Sequence, residues 1–137
     1  MNDEIRCLVV KTGVTTRYIN SKMVVEVYAE EKETYAAVYI SLSGKPEPIC
    51  IGKLAYGRKT RKSTNKALAL ANGMATIVSA FALTDCDVIR RRAIFEMLGI
   101  PYDEKEEAGK EDFAFESTTL YTADLLVYLT QFIEKMQ

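Results

Sequence analysis

The chain contains no histidine. That absence removes a serine–histidine or cysteine–histidine nucleophile, a histidine general base and histidine metal ligands. Any chemistry has to rest on carboxylates, Lys, Tyr, Ser, Thr or Cys. Cysteine is scarce as well. Cys7, Cys50 and Cys86 are odd in number, far apart and without paired spacing, which argues for three small half-buried side chains rather than a disulfide framework or a zinc site. No apolar run reads as long enough to span a bilayer. The first residues, MNDEIRCLVV, place acids ahead of a short strand-like run, unlike a secretory leader. The expectation is an intracellular, cytoplasmic protein with no membrane partner. Net charge is nearly missing too, at −1, so the total charge by itself predicts no affinity for nucleic acid.

What is present points to one domain over 1–137. That length can bury a core without disulfide or metal staples, and the apolar (48%) and charged (27%) fractions are those of an ordinary globular protein. The small net charge conceals segregation. A basic loop covers 57–66, IRRRA at 89–93 adds three arginines, and an acidic loop covers 102–116.

The first half reads as strands. IRCLVV (5–10) is apolar and β-branched, and TGVTTRYINSK carries turn residues. MVVEVYAEE (23–31), TYAAVYISL (34–42) and ICIGKLAYG (49–57) follow with short polar links. This predicts an antiparallel meander of three strands, with 5–10 as a fourth. Ser63 or Thr64 is a candidate helix cap. Ala67, Leu70, Ala71, Met74, Val78 and Phe81 then fall on one helical face, so one long helix is expected from about 64. The alternative is a stop at Asn72-Gly73 with a strand over 77–84. DVIRRRAIFEMLGI (87–100) predicts a second helix with Val88, Ile89, Ala93, Ile94, Met97 and Leu98 inward, ended by Gly99 and Pro101. STTLY (117–121) reads as a short strand or capping turn. TADLLVYLTQFIEKMQ (122–137) reads as a terminal helix capped by Thr122, with Leu125, Leu129, Phe132, Ile133 and Met136 buried. The fold class is α+β, a meander sheet followed by helices.

A helix N-terminus carries partial positive charge and unpaired amides, so basic side chains there are misplaced unless an anion binds. Arg58, Lys59, Arg61, Lys62 and Lys66, with the hydroxyls of Ser63 and Thr64, therefore form a candidate phosphate cradle. The competing readings are a solvated basic loop, or a cluster masked by the acidic loop folding onto it. Arg90, Arg91 and Arg92 spread around a helix and cannot all face one ligand. Tyr28, Tyr35, Tyr39 and Tyr56 are candidates for stacking on bases, or for burial in the sheet.

The segment GKPEPICIGKLAYGRKTRKSTNKALALA (44–71) resembles the third strand and first helix of the ribonuclease H domains of retroelement polymerases. The likeness spans about 34–71 and thins toward the C-terminus. It implies a ribonuclease H-like fold, a strand over 77–84, and two-metal phosphoryl transfer by carboxylates holding Mg²⁺. On that pattern Asp85 and Asp124 stand for two catalytic aspartates. The family's glutamate is missing, and Ala29, beside Glu30 and Glu31, occupies the place of the first aspartate. TRKSTNKALALANGMA is also similar to the last helix entrance of double-stranded-RNA-binding domains, with Arg61, Lys62 and Lys66 as the phosphate grip.

The expected function is therefore nucleic-acid binding, RNA or DNA, without a complete catalytic set and without a cofactor. The enzyme alternative is a divergent Mg²⁺-dependent nuclease using Asp85, Asp124 and Glu30. A third alternative is a protein–protein interaction or inhibitor protein, as a homodimer or adaptor. Leu126, Val127 and Tyr128 outside the main stripe of the last helix, and a free sheet edge at 5–10, carry that reading.

Overall fold

The computed structural model describes residues 5–115 and 118–136. Three strands, β3 (Val24–Glu31), β4 (Tyr35–Leu42) and β5 (Ile49–Ala55), form the expected antiparallel meander in the order β3-β4-β5. Along β4 the alternation sends Ala36, Val38 and Ile40 to one face, all fully buried. The long helix α1 (Arg61–Leu83) lies across that face and packs on all three strands. The protein is thus α+β, a three-stranded antiparallel sheet followed by helices.

The strand at the N-terminus is not the fourth member of this sheet. β1 (Cys7–Thr12) pairs antiparallel with β2 (Thr15–Asn20) and parallel with β8 (Thr119–Tyr121), giving a second sheet β2-β1-β8. β1 is its middle strand, so the free edge expected at 5–10 is occupied on both sides. The segment 15–20 had read as a turn. Five of its six residues are exposed, so it lacks the apolar alternation by which a half-buried strand is recognised.

α1 is one continuous helix. All six residues expected on its apolar face are buried, and the segment 77–84 is helical up to Leu83, so the strand that a ribonuclease H-like reading requires there is absent. Gly73 does not stop the helix. A Cβ at Gly73 would lie 3.1 Å from Leu98 Cδ2, so the missing side chain makes room for α2 (Arg91–Leu98). Gly52 does the same on the other side, where a Cβ would sit 2.9 Å from Met74 Sδ. By length and composition α1 also passes as a membrane span, contrary to the sequence expectation. Half of that stretch is buried inside the protein, as in a core helix.

The C-terminal half departs further from expectation. Val88–Ile89 is a short strand, β6, paired with β7 (Phe113–Ala114), and Val88 is exposed. α2 begins only at Arg91 and ends at Gly99 in the left-handed conformation, as expected. Within the acidic stretch α3 (Glu104–Glu107) makes one turn. Ser117 and Glu116 lie outside the described residues. α4 (Thr122–Thr130) is followed by a 3₁₀ turn at Ile133–Lys135 rather than continuing to 137. Thr122 is not its cap. Tyr121 holds that position, and the buried Thr122 hydroxyl donates to Val9 O at 3.3 Å, tying α4 to β1. Leu125, Leu129, Phe132 and Met136 are buried, but Ile133 is 39% exposed and Val127 62%.

Arg6 closes the far end of α1. Its guanidinium donates to Phe81 O (2.9 Å), Thr84 O (3.1 Å) and Cys86 O (2.7 Å), and lies 4.5 Å from the Phe81 ring centroid. A cation is thus placed on the carbonyl end of the helix dipole.

Candidate nucleic-acid interface

The interface is built where β5 turns into α1. Tyr56 is buried and its hydroxyl donates to Lys32 O at 2.9 Å, fixing the turn to the β3–β4 connection. Thr60, not Ser63 or Thr64, caps α1. Thr60 Oγ1 accepts from the Ser63 amide (3.0 Å) and Ser63 Oγ accepts from the Thr60 amide (2.9 Å), a reciprocal capping box. The Ser63 hydroxyl also donates to Arg58 O at 2.9 Å, so it is spent on holding the turn. Thr64 is buried. The two hydroxyls expected in the cradle therefore serve the helix start and its packing rather than an exposed anion site.

The cations are different. Arg58, Lys59, Arg61 and Lys62 are exposed and Lys66 is half-buried. Among the described residues none of the five makes an ion pair. The first turn of α1 contains no acid, so five positive charges gather near the positive end of a 23-residue helix with no ion-pair partner among the described residues. The helix divides them. Lys66, with Ser63, borders a groove of about 340 Å³ between β5, α1 and the end of α4. Lys59 and Arg61, with Thr64 and Asn65, line a shallow depression that Glu31 enters from β3.

Among the described residues the acidic segment makes no ion pair with this cluster. Three of its acids are engaged elsewhere: Glu104 with Arg92 (2.7 Å), Glu106 with Lys135 (3.4 Å), and Glu107 with Arg91 (2.7 Å) and Lys110 (3.3 Å). Glu107 is only 2% exposed. Burial alone would push its carboxyl up, but the hydrogen bonds from Arg91 and Lys110 outweigh this and hold it below the usual carboxylate range. Of the three arginines, Arg91 and Arg92 are thus committed to this acidic layer.

The tyrosines divide in two. Tyr56 is core. Tyr28 and Tyr39 stack on each other, ring centroids 5.4 Å apart, on the face of the meander opposite α1. Tyr35 shares that face, with Lys53 Nζ 5.0 Å from its ring centroid. All three are half-buried.

The carboxylates of the nuclease alternative are not brought together. Glu30 pairs with Lys32 at 3.2 Å near the end of β3, on the side of the α1 N-terminus. Asp85 follows the α1 C-terminus, so the length of that helix, about 33 Å, lies between them. Asp124 is exposed in the first turn of α4, where it complements the helix dipole. Among the described residues no group of three acidic or thiol side chains is arranged to hold a metal ion.

Sequence reasoning found the cations but missed Lys53, whose backbone borders the same groove as Lys66 along β5 while its ammonium lies over Tyr35 on the other face of the sheet. Its signal was faint: one lysine between Gly52 and Leu54 in an apolar strand. Comparison with family models, curated proteins and solved structures finds no match to this chain.

Proposed function

We propose that the protein binds nucleic acid through Arg58, Lys59, Arg61, Lys62 and Lys66, as a binding protein rather than a nuclease. The observation that carries this reading is the set of five cations without ion-pair partners among the described residues, at the dipole-positive start of α1. Concentrating like charges in this way is unfavourable on its own and becomes favourable when phosphates replace condensed counterions. The order of three antiparallel strands and then a helix with a basic entrance supports a distant ribonuclease H-like or double-stranded-RNA-binding-like origin for 24–83. The helical state of 77–84 weighs against the former, and the β1–β2 hairpin in place of a leading helix against the latter. Binding does not depend on either ancestry.

Fluorescence-anisotropy titration of labelled RNA and DNA tests the reading. Five phosphate contacts give a slope of log K on log salt of roughly −3.5 for single strands or −4.5 for duplex. Replacing one cation weakens binding alike for all sequences and reduces the slope by about one. Absence of binding to any probe at low salt would overturn it.

A further inference from the structure

We infer that the groove beside Lys66 accepts an unpaired base, so that the protein selects single-stranded over duplex nucleic acid; this rests on the reading above and specifies its ligand. The groove measures about 340 Å³, within the size range of small-ligand sites. Its wall is apolar: Tyr56 and Leu70 on one side, Leu126 and Ile133 of the C-terminal segment on the other. Leu126 is half-buried and Ile133 is 39% exposed, so these side chains are not sealed in the core. Tyr56 is held in place by its hydroxyl bond to Lys32 O, which makes that wall rigid.

The rim has the opposite character. Lys66 stands at the groove and has no ion-pair partner among the described residues, whereas the Lys53 ammonium is turned to the opposite face of the sheet, over Tyr35. Lys62 precedes Lys66 by four residues on α1, so the two fall on the same side of the helix. A line of cations therefore leads from the basic turn to the mouth of an apolar slot. The occupant that matches both halves is a strand with a negative backbone and a flat, weakly polar body at each repeat. The phosphates follow Lys62 and Lys66, and one base turns into the slot. A base paired within a duplex cannot leave its stack without losing its partner, so the slot rejects duplex while the lysines do not.

The test uses the full chain with three labelled probes of equal charge: a single strand, the same strand with abasic sites throughout, and a shorter duplex of matched phosphate number. Thr130→Trp fills the groove from the end of α4, and Ile133→Asn removes an apolar wall residue at an exposed position without altering charge. The expected result is a single strand bound about tenfold or more tightly than its abasic counterpart, in keeping with the contribution of one base–side-chain contact. Both variants should lower single-strand affinity to the abasic level and leave the salt slope unchanged, with folding checked by circular dichroism. Equal binding of all three probes by the unmodified protein, or a preference that survives both variants, overturns the base slot and leaves nucleic-acid binding standing. Loss of every interaction at low salt overturns both. Displacement of the single strand by an acidic amphipathic peptide, with no base preference, would assign the groove to a protein partner instead.

Discussion

Replacing Arg6 by alanine should destabilise the protein substantially, although the side chain lies outside the apolar core. The side chain is 14% exposed and makes three bonds to carbonyls at the end of α1. A hydrogen bond to a charged group contributes about 1.5–3 kcal/mol net. The Phe81 ring adds about 0.5–1 kcal/mol as a cation–π partner. These terms share one guanidinium and do not add, and the carbonyls near the surface regain water. A loss of about 3 kcal/mol is the expected outcome, or a fall in melting temperature of about 10 °C for a chain of this size. Urea denaturation followed by circular dichroism measures it. Arg6→Lys keeps the charge but not the planar fork and should recover less than half. Asp87→Ala should change little, because Asp87, which pairs with Arg6 at 3.0 Å, is 86% exposed. An Arg6→Ala variant within about 0.5 kcal/mol of the parent, the range of ordinary surface substitutions, would refute this account of how α1 is terminated.

Two further stability predictions concern the same core. The Glu107 carboxyl titrates lower in the folded protein than in the unfolded chain, so its contribution is present above the unfolded value of about 4.3 and is lost as the pH falls through the lower folded value. Glu107→Ala leaves the half-buried Arg91 without its partner and should cost about 2 kcal/mol at pH 7; the deficit relative to the parent should shrink steadily in acid titrations of stability. Gly73→Ala should be close to neutral, the gain in helix propensity of about 1 kcal/mol being offset by the 3.1 Å approach to Leu98. Gly73→Val should cost about 2 kcal/mol by overpacking the α1–α2 contact.

How much of this was legible depended on whether the signal was local. β3, β4 and β5 and the buried stripe of α1 were readable because apolar spacing repeats over several turns or strand residues. The capping box was missed by one turn. Ser63 stands where Glu or Gln usually completes such a box, so the pattern Thr60-Arg61-Lys62-Ser63 carries a weaker mark. β2 was invisible because its side chains face solvent, and β6 and β7 because two residues hold no period; β8 falls within 117–121, which reads in sequence as either a short strand or a capping turn. Arg6 contacts residues 75 to 81 positions away, a pairing no single sequence displays. The basic cluster was plain along the chain. Its division by α1 into two faces, and the engagement of the acidic segment with Arg91, Arg92, Lys110 and Lys135 instead, required the fold. Asp85, Asp124 and Glu30 looked like a set only under the ribonuclease H-like resemblance, and the distances between their elements dissolve it.

The most direct test of the central claim is the salt dependence of nucleic-acid binding for the parent and for the Arg61→Ala, Lys62→Ala double variant. The account predicts salt-sensitive binding by the parent and a slope reduced by about two in the variant, with stability unchanged. An unchanged slope, or no binding by the parent at low salt, would contradict it and leave the start of α1 as a solvated basic surface.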